Sequence, residues 1–141
     1  MIRRTGDHIV STFDADNYFC SNNLFVGIQK DSNYDLKYIS ALLNSRLITW
    51  FFQAIQPRVG KLFAELKINH LYQFPINGID KAQQMPFIEL VEKILKITKT
   101  DDYLKNAEKQ AKVPDIERQI DELVYKLYGL IEDEIKIVEA N

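Results

Sequence analysis

Residues 36–76 determine most of the architecture of this 141-residue chain, and they read LKYISALLNSRLITWFFQAIQPRVGKLFAELKINHLYQFPI. Apolar side chains recur at intervals of three and four residues in the first half, which is the spacing that places them on one face of a helix. Residues 56–61, QPRVGK, contain a proline and a glycine, which break helices and favour turns. We therefore predict a helix over residues 34–53, then a turn that carries two cations, and then a short extended run.

The segments on either side complete the prediction of an α/β (α+β) fold. Residues 1–5, 9–13 and 24–30 are rich in β-branched and aromatic side chains, which are typical of short strands. We expect them to form a small mixed or antiparallel sheet packed against the long helix.

A C-terminal helical tail is predicted after residue 80. Apolar stripes at helical spacing follow Pro86 and Pro114, and proline suits the first position of a helix. They predict helices over 87–99 and 114–128, the second ended by Gly129, and a short helix over 130–140. We predict a sheet-bearing domain at 1–80 and a helical hairpin at 81–141.

Composition restricts the classes of function. The net charge is -2, but residues 1–80 carry eight Lys/Arg and seven Asp/Glu, whereas residues 81–141 carry ten and thirteen. A surface that faces nucleic acid is therefore expected in the first part. One cysteine and two scattered histidines offer no disulfide and no metal-ligand spacing. No run of about 20 apolar residues is present, so we expect a cytoplasmic protein without a membrane partner.

Several short motifs resemble one known family by their order along the chain. They are IRRTG at 2–6, LLNSR at 42–46, the Gly60-Lys61 turn, FPI at 74–76, IDELVYKLYGL at 120–130 and EIKIV at 134–138. Together they resemble the C-terminal target-recognition (specificity) domain of TaqI-like adenine methyltransferases and of type IIG enzymes, which fuse methyltransferase and nuclease. Type I specificity subunits are more distantly similar.

The resemblance implies sequence-specific recognition of double-stranded DNA for a restriction-modification enzyme. The methyltransferase region of the same parent enzyme is then the protein partner. It would bind S-adenosylmethionine, and Mg²⁺ is implied where a nuclease is fused. We expect no cofactor, metal or catalytic residue in this chain itself.

Two stretches look superficially like catalytic motifs. Residues 16–19, DNYF, lack the prolines of the Asn-Pro-Pro-Tyr loop that holds a flipped adenine in these methyltransferases. Glu65-Leu66-Lys67 matches only the second half of a magnesium-dependent nuclease signature. We interpret the second stretch as two charged residues that flank a buried Leu66 on a strand.

Seven residues are candidate DNA contacts, and for each the alternative is a solvated or turn-forming side chain. Arginine matches the O6 and N7 acceptors of guanine, asparagine can pair with adenine, and lysine neutralises phosphates. Adjacent residues on a strand point to opposite faces, so at most one of the first two arginines faces a given partner. The candidates are Arg58, Lys61, Arg3, Arg4, Asn22, Asn23 and Lys67.

Two other functions remain open from the sequence. The apolar stripes at 87–99 and 114–128, together with the acidic tail, suit a helical protein-interaction or assembly module without direct DNA binding. An independent nuclease that uses Glu65 and Lys67 is the third alternative, and it predicts magnesium-dependent cutting.

Overall fold

The computed structural model describes residues 1–16, 18–56 and 65–140, which are mostly helical with one two-stranded antiparallel sheet. The elements are β1 (Ile2–Arg3), β2 (Leu24–Phe25), α1 (Leu36–Asn44), α2 (Arg46–Ile55), α3 (Ile68–Leu71), α4 (Lys81–Thr98), a 3₁₀ turn (Tyr103–Lys105), α5 (Ala107–Tyr128) and α6 (Glu132–Glu139). The predicted α+β class with a helical C-terminal part is confirmed.

The sheet is built around β1. Ile2 pairs with Phe25 on one side and bridges to Ser11 on the other, and a further bridge joins Thr5 to Glu65. The strands predicted at 9–13 and 24–30 were therefore too long. Continuation of β2 would place Val26 and Ile28 in the sheet, but both side chains are largely exposed and gain nothing from packing.

The single helix predicted over 34–53 is wrong, because Ser45 divides it into α1 and α2. Ser45 has extended backbone angles, φ -69° and ψ 152°. Its Oγ accepts a hydrogen bond from the N–H of Ile48 at 3.3 Å and donates one to the carbonyl of Leu42 at 2.7 Å. Ser45 thus caps the second helix at the point where the first one ends.

The long tail helices begin earlier than the prolines suggested. Asp80 caps α4, where its carboxylate accepts the N–H of Gln83 at 2.8 Å, and Asn106 caps α5. Pro86 and Pro114 consequently lie inside these helices and do not open them. The predicted end of α5 is confirmed, since Gly129 adopts the left-handed conformation with φ 69°.

Two clusters of buried side chains form the core. The larger one joins α1 to α4, α5 and α6, and the smaller one lies between the strand segments, α2 and α3. The larger cluster includes Tyr38, Ala41, Leu42, Phe87, Leu90, Val91, Ile116, Ile120, Val124 and Val138, and the smaller one consists of Ile9, Leu43, Ile48, Phe52, Leu66 and Phe74. The apolar stripes of the tail therefore pack on the N-terminal part. The division at residues 80 and 81 stays a prediction.

Among the described helices, none combines the length and the apolar character that a membrane crossing requires.

Candidate nucleic-acid interface

Arg4 lies at the centre of a polar cluster beside β1. Its Nη2 donates to Glu65 Oε1 at 2.8 Å, and its Nη1 donates to the carbonyl of Asn22 at 2.7 Å. The guanidinium carbon lies 5.0 Å from the centre of the Phe25 ring. The backbone N–H of Arg4 also donates to the carbonyl of Asn23 at 3.0 Å. One side chain thus joins three segments that are distant in sequence.

Asn22 and Asn23 lie in the turn before β2 with exposed side chains. Their backbone carbonyls accept the hydrogen bonds from Arg4, so the side-chain amides are not needed to hold the turn. An amide has donors and acceptors that match an adenine edge. The structure therefore brings Arg4 and the two predicted asparagines together, with both amides facing solvent.

Arg3 lies in different surroundings from Arg4. Its guanidinium is close to Gly6, where an added Cβ would lie 2.7 Å from the Arg3 Nη2 atom. The pKa of the nearby Asp7 is lowered, first by the hydrogen bond that its carboxylate makes with the His8 ring and in smaller part by the charge of Arg3. Arg3 is thus placed next to an acidic group and apart from the Arg4 cluster.

Lys67 lies just before α3 and its side chain is exposed. Leu66 is only 2% exposed, and Glu65 pairs with Arg4 in the bridge to β1. The predicted burial of Leu66 between two charged residues is therefore confirmed, but the predicted strand is wrong, because Glu65 forms only an isolated β-bridge. The carboxylate that a nuclease would need for a metal ion is instead bound to a guanidinium.

The two candidates that the sequence favoured most, Arg58 and Lys61, lie outside the described residues. Their contacts with DNA stay predictions.

A match to a known protein family shows which family the chain belongs to. The family described as the TaqI-like C-terminal specificity domain matches residues 1–76, which is more than half of the 141 residues. The chain belongs to this family. The match covers all of the structure from β1 to α3, including the Arg4 cluster. Neither a curated protein nor a solved structure matches the chain.

In this TaqI-like specificity domain, Asn44 of the LLNSR motif fixes the strand segment beside β1. Its Oδ1 accepts the N–H of Ser11 at 2.6 Å, and its Nδ2 donates to the carbonyl of Ser11 at 2.9 Å. Asn44 and Ser45 thus both use their side chains for hydrogen bonds within the chain. A pair of short polar residues between two apolar runs is the signal for such a cap or turn.

Asp121 connects the C-terminal helices to the same motif, and the sequence did not single it out. Its Oδ1 accepts the N–H of Arg46 at 2.8 Å, at the first residue of α2. The side chain is nearly buried, and burial is the main reason why its pKa is raised. Asp121 is a positioning residue, because it orients α2 below the surface formed by β1 and α3.

The side chains around β1 include groups that can bind a polar ligand. In residues 1–16, 18–56 and 65–140, no group of three or more His, Cys, Asp or Glu residues is placed to hold a metal ion. The exposed groups near β1 include amides, a lysine and two arginines, which are typical partners of phosphates and base edges, together with the carboxylate of Asp7.

Proposed function

We propose that this domain recognises a specific sequence in double-stranded DNA for an adenine-specific methyltransferase or type IIG enzyme of a restriction-modification system. The observation that carries the proposal is the family match over 1–76, which supports a role in target recognition by restriction-modification enzymes. The matched residues include β1 and the residues that contact Arg4.

The Arg4 cluster supports the proposal because the groups that hold the turn are different from the groups that could contact bases. The guanidinium binds the carbonyl of Asn22 and the carboxylate of Glu65, so the turn is fixed by backbone atoms. The amides of Asn22 and Asn23 then remain available for base edges. A well-made bidentate amide contact supplies about 1–3 kcal/mol of discrimination against a wrong base.

Under this proposal the chemistry belongs to the methyltransferase region of the parent enzyme. That region would bind S-adenosylmethionine, which supplies the methyl group, and a fused nuclease would bind Mg²⁺. Arg58, Lys61 and Lys67 would add contacts to DNA, and Arg3 would reach it only from its own side of β1. The residues of this domain would hold the duplex in register while the parent acts on the adenine.

A selection from random duplexes tests the proposal. The chain is incubated with a pool of labelled duplexes that have a randomised centre, and the bound fraction is recovered and sequenced over several rounds. We expect one short motif to be enriched, and the Kd for it to rise linearly with salt on logarithmic axes. Enrichment of no motif, or a Kd that is independent of salt, would contradict the proposal.

Alanine substitutions of Asn22 and Asn23 test whether their side-chain amides contact base pairs. Asn22→Ala and Asn23→Ala keep the carbonyls that bind Arg4, so the turn should persist. We expect either change to relax the preference at one base pair by about 1–3 kcal/mol, which corresponds to roughly five- to hundredfold. Asn33→Ala, at another exposed asparagine, is the matched control and should leave the preference unchanged.

The assembly alternative makes a different prediction. Its apolar stripes include Phe87, Leu90 and Ile116, which are buried within the chain. An assembly module would leave the duplex pool unselected and would change its sedimentation coefficient with concentration. A DNA reader would show the opposite pair of results.

A further inference from the structure

A small exposed surface is formed by α3 and its flanking residues. Ile68 and Tyr72 are four residues apart, so they are neighbours on one helical face, and they are 50% and 84% exposed. Lys67, Asn69 and Gln73 surround them with polar side chains. We call these five residues the α3 surface. An exposed apolar pair with a polar rim is the usual composition of a binding surface.

The opposite side of α3 is fixed to the core. His70 is buried, and its ring centre lies 5.5 Å from that of Phe52 in α2. The Nδ1 atom of His70 accepts the N–H of Lys67 at 3.1 Å, which closes the turn. Phe74 is also buried and packs edge-on against Phe52. These contacts hold the α3 surface in one orientation.

The chain after α3 is fixed by the C-terminal helices. The hydroxyl of Tyr128 at the end of α5 donates to the carbonyl of Pro75, and Tyr38 in α1 donates to the carbonyl of Asn77 at 2.6 Å. Asn77 also donates to the carbonyl of Leu127 at 3.3 Å. A rigid surface loses little conformational entropy when it binds a partner.

The charge of the α3 surface suits a polyanion. The sequence has no aspartate or glutamate from residue 66 to residue 79, and Lys67 lies in this run. The nearest acidic residue along the chain before it, Glu65, is paired with Arg4 at 2.8 Å. Anionic DNA would therefore meet a lysine and amides there, and the carboxylate of Glu65 is already paired with Arg4.

We propose that the α3 surface is a contact site for duplex DNA, with Tyr72 as a residue that binds it directly. Lys67 binds a backbone phosphate, while the Tyr72 ring and Ile68 pack on the sugar and base edges. The inference rests on the proposed function and adds a second element to the exposed asparagine turn beside Arg4.

The other large exposed aromatic side chains of the N-terminal part have less suitable surroundings. Tyr18 follows Asp14 and Asp16, and Asp14 accepts the N–H of Tyr18 at 3.0 Å. Asp16 is paired with Lys99 at 2.6 Å, but the carboxylate of Asp14 lies close to this loop and would repel phosphates. Tyr18 is therefore a matched control for Tyr72, being an exposed tyrosine of the same domain.

The test measures binding of a labelled random-sequence duplex, and of any selected motif, at several salt concentrations. We expect Tyr72→Ala to raise the Kd at least fivefold, Tyr72→Phe to stay within about twofold, and Tyr18→Ala to have no effect. A fivefold rise in Kd corresponds to about 1 kcal/mol of binding free energy. Thermal unfolding should be unchanged, because the Tyr72 side chain is largely exposed.

The proposed contact between Lys67 and a phosphate is tested by the salt dependence of binding. Lys67→Gln should reduce the slope of log Kd against log salt by about 0.9, since one phosphate contact is lost. Lys126→Gln changes an exposed lysine on α5 and should leave the slope unchanged.

The outcomes separate the two proposals. If the unmodified chain binds duplex DNA while Tyr72→Ala and Lys67→Gln behave like their controls, the α3 surface is not the contact and the proposed function stands. If the unmodified chain binds no duplex, both proposals are wrong. If Tyr72→Ala leaves the Kd unchanged but alters the sedimentation of the chain, the surface binds protein and the inference is overturned.

Discussion

Replacing Arg4 with methionine should lower the free energy of unfolding by roughly 1–2 kcal/mol. The guanidinium binds Glu65 at 2.8 Å and the Asn22 carbonyl at 2.7 Å, and it lies 5.0 Å from the Phe25 ring centre. Methionine retains a long apolar chain but none of these polar contacts. The change therefore tests whether this one side chain holds the turn and the segment after residue 64 to β1.

The size of the expected loss in unfolding free energy depends on how far the contacts of Arg4 are exposed to water. The side chains of Arg4 and Glu65 are 34% and 40% exposed, so water and salt screen their attraction to about 0.5–1 kcal/mol. The hydrogen bond to the Asn22 carbonyl adds roughly 1 kcal/mol, and the contact with the Phe25 ring adds about 0.5 kcal/mol. These contributions share one side chain and its entropy cost, so their sum is an upper bound.

A double-mutant cycle isolates the ion pair. Urea unfolding of the unmodified chain, Arg4→Met, Glu65→Gln and the double variant should give a coupling energy of about 0.5–1 kcal/mol that falls as salt is added. Arg118 and Asp115 form a matched control pair, because both are well exposed and separated by 3.5 Å on one helix. A coupling between Arg4 and Glu65 no larger than that of the control pair would refute the reasoning.

Four further predictions concern other positions. Asp121→Ala should cost about 1–3 kcal/mol of stability in urea unfolding, because the partly buried hydrogen bond from the N–H of Arg46 to a carboxylate is lost. Burial raises the pKa of Asp121 above its ordinary 3.8, so the unmodified chain should lose stability relative to Asp121→Asn as the pH rises through the raised pKa, in unfolding curves from about pH 3 to pH 7. Gly129→Ala should lower the melting temperature by a few degrees, since φ is 69° and the left-handed conformation costs alanine about 1 kcal/mol. Arg58→Gln and Lys61→Gln should each reduce the salt slope of duplex binding by about 0.9, and unchanged slopes would count against these contacts.

The parts of the fold that follow from local periodicity could be predicted from the sequence. The stripe that contains Ile116, Ile120 and Val124 is buried as its spacing indicated, and Gly129 ends that helix as glycine commonly does. Both features depend on residues within one or two helical turns of each other. For the same reason the burial of Leu66 between two charged neighbours could be predicted.

The helix break at Ser45 could not be located from periodicity, because the apolar spacing continues through it. The break is stabilised by Asp121, which lies 75 residues after Arg46 and accepts its N–H. The starts of the tail helices show a related effect. Asp80 and Asn106 satisfy the free N–H groups of the first turn, so caps and not prolines set where the helices begin.

The sequence indicated which residues could contact DNA, but it could not show which of them lie close together. The alternation of a strand separates Arg3 from Arg4, as expected, but only the tertiary structure shows that Arg4 is bound by Glu65, 61 residues away. Tyr72 had no signal in the sequence, since an aromatic at that position suits a core as well as a surface. Its exposure depends on His70 and Phe74, which occupy the core side of α3.

The C-terminal helices are hydrogen-bonded to the elements that carry the proposed DNA surface. Asp121 and Tyr128 both lie on α5, and the first binds the start of α2 while the second binds the segment that follows α3. The helices α2 and α3 pack on each other through Phe52 and His70. Helix α5 therefore binds two segments that lie next to the proposed DNA surface. A shift of α5 would therefore act on the start of α2 and on the segment after α3, both of which adjoin residues proposed to contact DNA. Under the proposed function, this support would help to keep the two contact elements at a fixed spacing along the duplex, because a binding site is more precise when its residues stand on rigid elements.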